Sequence, residues 1–223
     1  FHVGRDDGDL VATAPKLEPV SVVPRTDNEV WVVNHLSDDI SIVDVAAGNV
    51  VRSLRVGDEP TDVVFAKTST APNAPRVAFV CLSAEDRVKA FDPLTLAPID
   101  PPIAIFSDDP RALALSPDTT KVYVAAFESG NRTTVVRFQD VINGGGPPAP
   151  SPPMRADLPA APTVGLIVRH NGTHWVDEIG RNWDAAVPYT LADKDVFVID
   201  AGTRTITREI TGVGTLLFNL APN

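Results

Sequence analysis

The sequence has a single cysteine, Cys81. It therefore forms no internal disulfide and offers no cysteine cluster to a metal. It has no run of 18 apolar residues, so it carries no membrane-spanning helix. Basic residues are few: 19 Lys and Arg stand against 29 Asp and Glu, for a net charge of −10. That balance argues against nucleic acid, where affinity comes largely from cations on phosphates. It argues equally against anionic membrane surfaces. Runs with helical spacing are scarce. No nucleophile elbow, phosphate loop, dinucleotide fingerprint, haem-attachment motif or zinc signature is present. The chain starts at Phe1 rather than Met, which points to a processed or truncated product.

What remains is mostly short runs of Val, Ile and Phe separated by turn residues. Proline is abundant, at 21 residues. This reads as an all-β chain. The stretch "EVWVVNHLSDDISIVD" (29–44) shows the pattern: two strand-like runs around an acidic tip. It recurs. "EVWVVN", "RVAFVC" (76–81) and "KVYVAA" (121–126) are similar strands. Each follows a segment opening on an acidic residue and proline: "EPVSVV", "EPTDVVF" and "DPRALAL". Each precedes a run ending in aspartate, at Asp44, Asp92 and Asp200. One more strand-like segment then follows: "VVRSLRV", "IAIF" or "TITREI". Four short strands over roughly 40–50 residues is the period of a propeller blade. Calling the strands A to D, A is expected at 19–23, 60–66, 110–116 and 215–221. B is expected near 29–34, 76–81 and 121–127, and C near 39–44, 87–92 and 195–200.

The chain resembles the YVTN β-propeller repeat family. Trp31-Val32-Val33-Asn34 stands where the family has Tyr-Val-Thr-Asn. "SPDTTKVYV" (116–124) looks like its Ser-Pro-Asp-Gly turn and strand, and "SIVDVAAGNVVRSLRVGDEP" like its Val-Ile-Asp segment. In the second repeat Ala78-Phe79-Val80-Cys81 replaces the signature, with Cys81 at the Asn34 position. The resemblance covers about 15–127 and 194–221. It implies an incomplete ring of four-stranded antiparallel blades, at about 15–57, 58–107 and 108–212, with the start of another at 213–223. "DLVATAPK" (9–16) reads as the tail of a preceding blade. It also implies an extracellular, periplasmic or cell-surface bacterial or archaeal protein. Three blades leave two broad sheet faces open, so another chain, another copy or the rest of the same propeller is expected to cover them.

An insert at 128–194 interrupts the third blade, too long for a hairpin loop. It holds the Pro-rich tract "NGGGPPAPSPP" (143–153) and "LIVRHNGTHWVDE". The latter reads as a hairpin with a two-residue turn at Asn171-Gly172. Trp175 and Trp183 lie here. They read as exposed, either stacking on a sugar or a partner protein or pinning the insert to the propeller.

Strand order places the B–C loops and the inter-blade connections on one face. Ten carboxylates fall there: Glu18, Asp38, Asp39, Asp58, Glu59, Glu85, Asp86, Asp108, Asp109 and Glu128. Two basic residues accompany them, Lys16 and Arg87. Such a face suits a divalent cation such as calcium, or a cationic or neutral partner. Acidic residues also simply start turns and keep loops soluble. No calcium loop of the EF-hand type is present. His35 follows Asn34 near Asp38 and has the chemistry of an acid–base group or of an exposed loop residue. His170 and His174 would pair on a metal only with a third ligand such as Asp177 or Glu178. The repeated Asp44, Asp92 and Asp200 read as turn-holders. Cys81 reads as a buried small apolar residue. Asn131 and Asn171 stand in glycosylation sequons.

The resulting expectation is a non-catalytic binding scaffold that presents a protein or glycan partner with an insert-bearing acidic face. Its candidate contacts are Trp175, Trp183, His35, Asp38, Asp39, Asp58, Glu59, Asp108 and Asp109, with no cofactor expected. The alternative is a lactonase-like propeller hydrolase holding a divalent metal on carboxylates at the channel mouth.

Overall fold

A computed structural model of the chain describes residues 18–148, 155–159 and 165–222. Among these the structure is all-β, in four antiparallel sheets. Helix is confined to α1 (Phe138–Asn143) and a 3-10 turn at Asp184–Ala186. The chain divides into two compact units. Unit one takes 1–129 and 194–223, and unit two takes 130–193.

Unit one holds three four-stranded meanders. The first is β1 (Pro19–Thr26), β2 (Glu29–Asn34), β3 (Asp39–Asp44) and β4 (Asn49–Arg55). The second is β5 (Pro60–Lys67), β6 (Arg76–Leu82), β7 (Arg87–Phe91) and β8 (Pro98–Ala104). The third is β9 (Asp108–Leu115), β10 (Lys121–Glu128), β14 (Val196–Asp200) and β15 (Thr205–Ile210), with 67 residues between β10 and β14. The middle sheet is covered on both faces, which is why its strands read as near-continuous apolar runs. Val63, Phe65, Ala78, Val80 and Leu82 pack with Trp31, Val33, Ile40 and Ile42 of the first sheet. Val64, Phe79, Cys81 and Val88 pack with Leu113, Val122, Val124, Phe197 and Ile199 of the third. On the outer face of the first sheet, Val22 is 63% exposed.

The three sheets repeat one another in detail. A β-bulge follows the proline of each first strand, making Val20, Thr61 and Arg111 the extra residues. The residue before each proline takes a left-handed backbone: Glu18 (φ 59°), Glu59 (49°) and Asp109 (50°). After the third strand, the Oδ1 atoms of Asp44, Asp92 and Asp200 accept hydrogen bonds from the N–H groups of Ala47 (2.9 Å), Thr95 (2.9 Å) and Thr203 (2.8 Å). Their carbonyls take the next N–H, from Gly48, Leu96 and Arg204, each at 2.8 Å. These repeated aspartates hold the turns, as their spacing suggests.

Three expectations are corrected. Residues 215–221 are not a strand: one isolated bridge, Glu128 to Leu216, forms there. A strand needs a continuous partner, and only the end of β10 is available. The fourth strand of the second sheet is Pro98–Ala104 rather than the "IAIF" run. It is an edge strand, where prolines are tolerated. By register, Leu82 and not Cys81 occupies the Asn34 position: Asn34 pairs with Pro19 and Leu82 with Pro60. The candidate tail at 9–16 lies outside the described residues, as does part of the Pro-rich tract.

Unit two is a three-stranded sheet of β11 (Thr133–Val136), β12 (Leu166–His170) and β13 (Trp175–Val176), with α1. Its core is Val136, Val141, Leu166, Val168, Trp175, Trp183 and Val187. The β12–β13 hairpin forms, but its loop is four residues long. His170 pairs with Trp175, and the Asn171 Oδ1 accepts from the N–H groups of Thr173 and His174. A type I′ turn needs positive φ at both central residues, and here only Gly172, at 107°, has it.

Trp31 is the largest fully buried side chain and meets Phe65 edge-on at 5.0 Å. Truncating Trp31 to alanine should lower the stability of unit one by about 3–5 kcal/mol. Denaturant titration followed by circular dichroism would measure the loss.

Candidate functional site

The acidic loops come together in pairs. The Asp38 carboxylate accepts from the Glu59 N–H (3.2 Å) and meets Arg55 (3.1 Å). Asp39 accepts from the Asn34 amide at 2.8 Å. The Glu59 carboxylate lies 3.8 Å from His35 Nε2, while His35 Nδ1 donates to the Pro60 carbonyl at 3.2 Å. Asp58 is exposed, and its N–H is held by Glu85 at 3.0 Å. The Asp86 carboxyl accepts the N–H of Asp109. Burial, reinforced by the charges of Asp108 and Asp109, pushes its pKa upward. Asp38 and Asp86 hold the same kind of connection, between one sheet and the next. Most of these carboxylates thus serve backbone and neighbouring side chains. Among the described residues, no three His, Cys, Asp or Glu side chains are grouped to hold a metal.

The expected exposure of Trp175 and Trp183 is corrected. They are 9% and 6% exposed and form the centre of unit two's core. The Trp183 indole donates to Asp177 (3.0 Å), and Arg181 stacks over its ring at 5.1 Å. His174 is paired with Asp184 at 2.7 Å, and His170 lies edge-on to Trp175, so the two histidines form no metal pair. Cys81 is fully buried and donates to the Pro110 carbonyl. Burial pushes its thiol up to about 12, so it is no nucleophile at neutral pH.

The structure adds a site that the motifs do not mark. A cleft of about 210 Å³ opens at the first strands of the three sheets. Its walls include the bulge residues Val20, Thr61 and Arg111 and the residues after them, Ser21, Asp62 and Ala112. His35, Phe218 and Asn219 complete it. Asp62 ties the strands together. Its carboxylate accepts from Ser21 Oγ (2.7 Å) on β1, from its neighbour Val63 N–H (2.9 Å) and from Leu113 N–H (2.8 Å) on β9. Burial raises its pKa against those hydrogen bonds. Thr61 is 7% exposed, and its hydroxyl, beside the Cys81 thiol, has no hydrogen-bond partner of normal geometry. The Arg111 guanidinium lies 4.8 Å from the Phe127 ring, which packs edge-on to Phe218. Among the described residues Arg111 makes no hydrogen bond or ion pair. The one signal in the sequence is the differing residue after each proline: Val20, Thr61, Arg111.

No protein-family model matches the chain, and no curated protein does. Among solved structures it is similar to the hydrazine synthase of Kuenenia stuttgartiensis, at 14% identity and a TM-score of 0.44. The alignment covers 93% of this chain and 53% of that one, so the chain spans about half that protein's length. A likeness of that size carries nothing about function.

Two carboxyls of unit two are held in their ionised form by the groups around them. The Trp175 N–H, His174 and Asn182 hold the Asp184 carboxyl at about 2, against an ordinary 3.8. For Asp177, burial opposes ionisation but the bonds from Trp183 and Arg181 outweigh it, and its value is also lowered. Both folded values lie below the unfolded ones. The Asp184 contribution is therefore present above pH 3.8 and lost as pH falls toward 2, and that of Asp177 is likewise lost on acidification. Tryptophan fluorescence of a Trp31→Phe variant should report loosening of unit two over that window. Asp184→Asn should be less stable at neutral pH and show a smaller acid-dependent loss.

Proposed function

We propose that unit one is a run of three blades from a β-propeller of the YVTN-repeat kind, and that the protein is a non-catalytic binding scaffold. The stacked meanders, with matching bulges, turn aspartates and left-handed residues before proline, support the propeller reading. The resemblance in sequence supports a secreted or cell-surface location and a protein or glycan as partner. One observation carries the function: three equivalent bulges bring residues of different chemistry to the wall of one cleft, where, among the described residues, the Arg111 guanidinium makes no hydrogen bond or ion pair. Loops and inward positions on a rigid scaffold are where such folds bind.

Binding moves accordingly from the tryptophans of the insert to this cleft. The acidic residues Asp38, Asp39, Asp58, Glu59, Asp108 and Asp109 are not in its lining and steer charge only within about 8–10 Å in physiological salt.

The full chain should bind members of a glycan, peptide or small-molecule array, and Arg111→Ala should reduce that binding by about tenfold or more. Lactone and ester hydrolysis should stay at the buffer rate with calcium, magnesium, manganese or zinc added. Metal-dependent turnover abolished by Asp62→Asn would overturn the scaffold reading in favour of a hydrolase.

A further inference from the structure

We propose that Asn171 is a self-modification site: the β12–β13 loop converts its side-chain amide to a carboxylate through a cyclic imide, with His170 as the base. The inference concerns unit two alone and stands apart from the cleft of unit one. An asparagine followed by glycine can close on itself. The glycine nitrogen attacks the side-chain carbonyl, ammonia leaves, and water opens the imide. In water the step is slow because the amide nitrogen holds its proton and the developing oxyanion has no fixed donors. The loop meets both needs. The Gly172 N–H donates to His170 Nδ1 at 3.3 Å, so the attacking nitrogen already faces a base. The Asn171 Oδ1 accepts from the N–H groups of Thr173 (3.0 Å) and His174 (2.9 Å). Two backbone donors on one carbonyl oxygen are the arrangement that stabilises an oxyanion.

The flanking strands hold the base in place. His170 pairs with Trp175 across the hairpin, its ring lies edge-on to that indole at 5.1 Å, and its backbone N–H is held by the Arg132 carbonyl at 2.8 Å. Asn171 to His174 are all exposed, so water reaches the imide and ammonia can leave. Gly172 has a φ of 107° and open space where a Cβ would stand, so no side chain shields the attacking nitrogen. In the reaction, His170 Nδ1 takes the Gly172 proton as the nitrogen bonds to Asn171 Cγ. The oxyanion then collapses, the bond from Cγ to the side-chain nitrogen breaks, and ammonia departs with the proton from His170. Water opens the imide to aspartate or isoaspartate, adding a negative charge to the loop. Aspartate keeps both N–H bonds, now charge-assisted. Isoaspartate lengthens the backbone inside the loop. The chain also contains a comparison. Asn143-Gly144 is a second Asn-Gly pair, at the end of α1. There the Gly144 N–H donates to the Asp140 carbonyl at 2.9 Å, and the Asn143 Oδ1 accepts from the Gln139 amide at 3.1 Å. A carbonyl in a helical turn does not take a proton at neutral pH, so this pair has the same residues without the base.

The test is a time course of the full 223-residue chain at neutral pH and physiological temperature, folded and in guanidinium chloride. Peptide mapping by mass spectrometry reads the amide-to-acid change at each asparagine, and released ammonia is measured alongside. Unfolded, Asn171 and Asn143 should convert at similar rates. Folded, Asn171 should convert about tenfold faster than in the unfolded chain, and Asn143 should fall behind it by more than that. His170→Gln, which keeps an acceptor but no base, should slow Asn171 by about tenfold or more and leave Asn143 unchanged. Thermal melts establish that the variant is folded, and the comparison within the unaltered chain stands without it. The proposal is overturned if folded Asn171 converts no faster than unfolded, if Asn143 keeps pace with it in the folded chain, or if folded His170→Gln converts at the unaltered rate.

Discussion

A four-stranded sheet with two apolar faces has to be covered on both, and unit one is organised around that requirement. The middle sheet, β5 to β8, is the clearest instance. Alternate residues of β5 and β6 go to opposite neighbours: Val63 and Phe65 toward the first sheet, Val64 and Ala66 toward the third. Nearly every side chain of β6 is buried. Such a sheet has little stability alone, since burial on one face recovers only part of the apolar area. Stacking then places the first strands side by side. β1, β5 and β9 approach closely enough for Asp62 to accept from Ser21 and from Leu113. The cleft follows from the stacking and would not exist in an isolated sheet.

The acidic residues divide by what the backbone asks of them. Where a sheet hands the chain to the next, an N–H is left over, and a carboxylate from the preceding loop takes it. Asp38 does this for Glu59 and Asp86 for Asp109. Asp195 does something similar for Val213 and Gly214. A carboxylate holding an N–H while a guanidinium or imidazole sits near is already largely satisfied. Much of the negative charge on these loops is therefore spent on the turns. This answers the question raised by the paired aspartates of the first loop. Asp38 caps the next sheet's connection, and Asp39 holds the Asn34 side chain, which also reaches Ser41.

What was legible in the sequence was local. A strand run bounded by turn residues, or an aspartate three residues before the N–H it accepts, is written in consecutive letters. Asp44, Asp92 and Asp200 could be read for that reason. Trp175 and Trp183 could not. Their burial depends on β11 pairing with β12 across about thirty residues, and no spacing rule shows that closure. Residues 215–221 carry a strand-like pattern, but a pattern does not supply a partner. The cleft was the least legible part. Its residues lie 41 and 50 positions apart along the chain. The bulge that exposes Val20, Thr61 and Arg111 also breaks the two-residue alternation by which a face is assigned.

The repeat itself separates structure from function. Positions that serve the backbone carry like residues in all three sheets: proline at 19, 60 and 110, an acidic residue before each, aspartate at 44, 92 and 200. Each copy meets the same geometric demand with the same chemistry. The cleft positions are geometrically just as equivalent, yet they read Val, Thr, Arg and then Ser, Asp, Ala. No requirement of the sheet explains that variety, since the bulge and register are the same in each. Ser21 and Asp62 answer one another directly. Among the described residues Arg111 makes no hydrogen bond or ion pair and lies 4.8 Å from the Phe127 ring, and the Thr61 hydroxyl is enclosed beside the Cys81 thiol. Unlike residues at equivalent positions, brought to the wall of one cleft, are what the geometry of the sheets alone does not dictate.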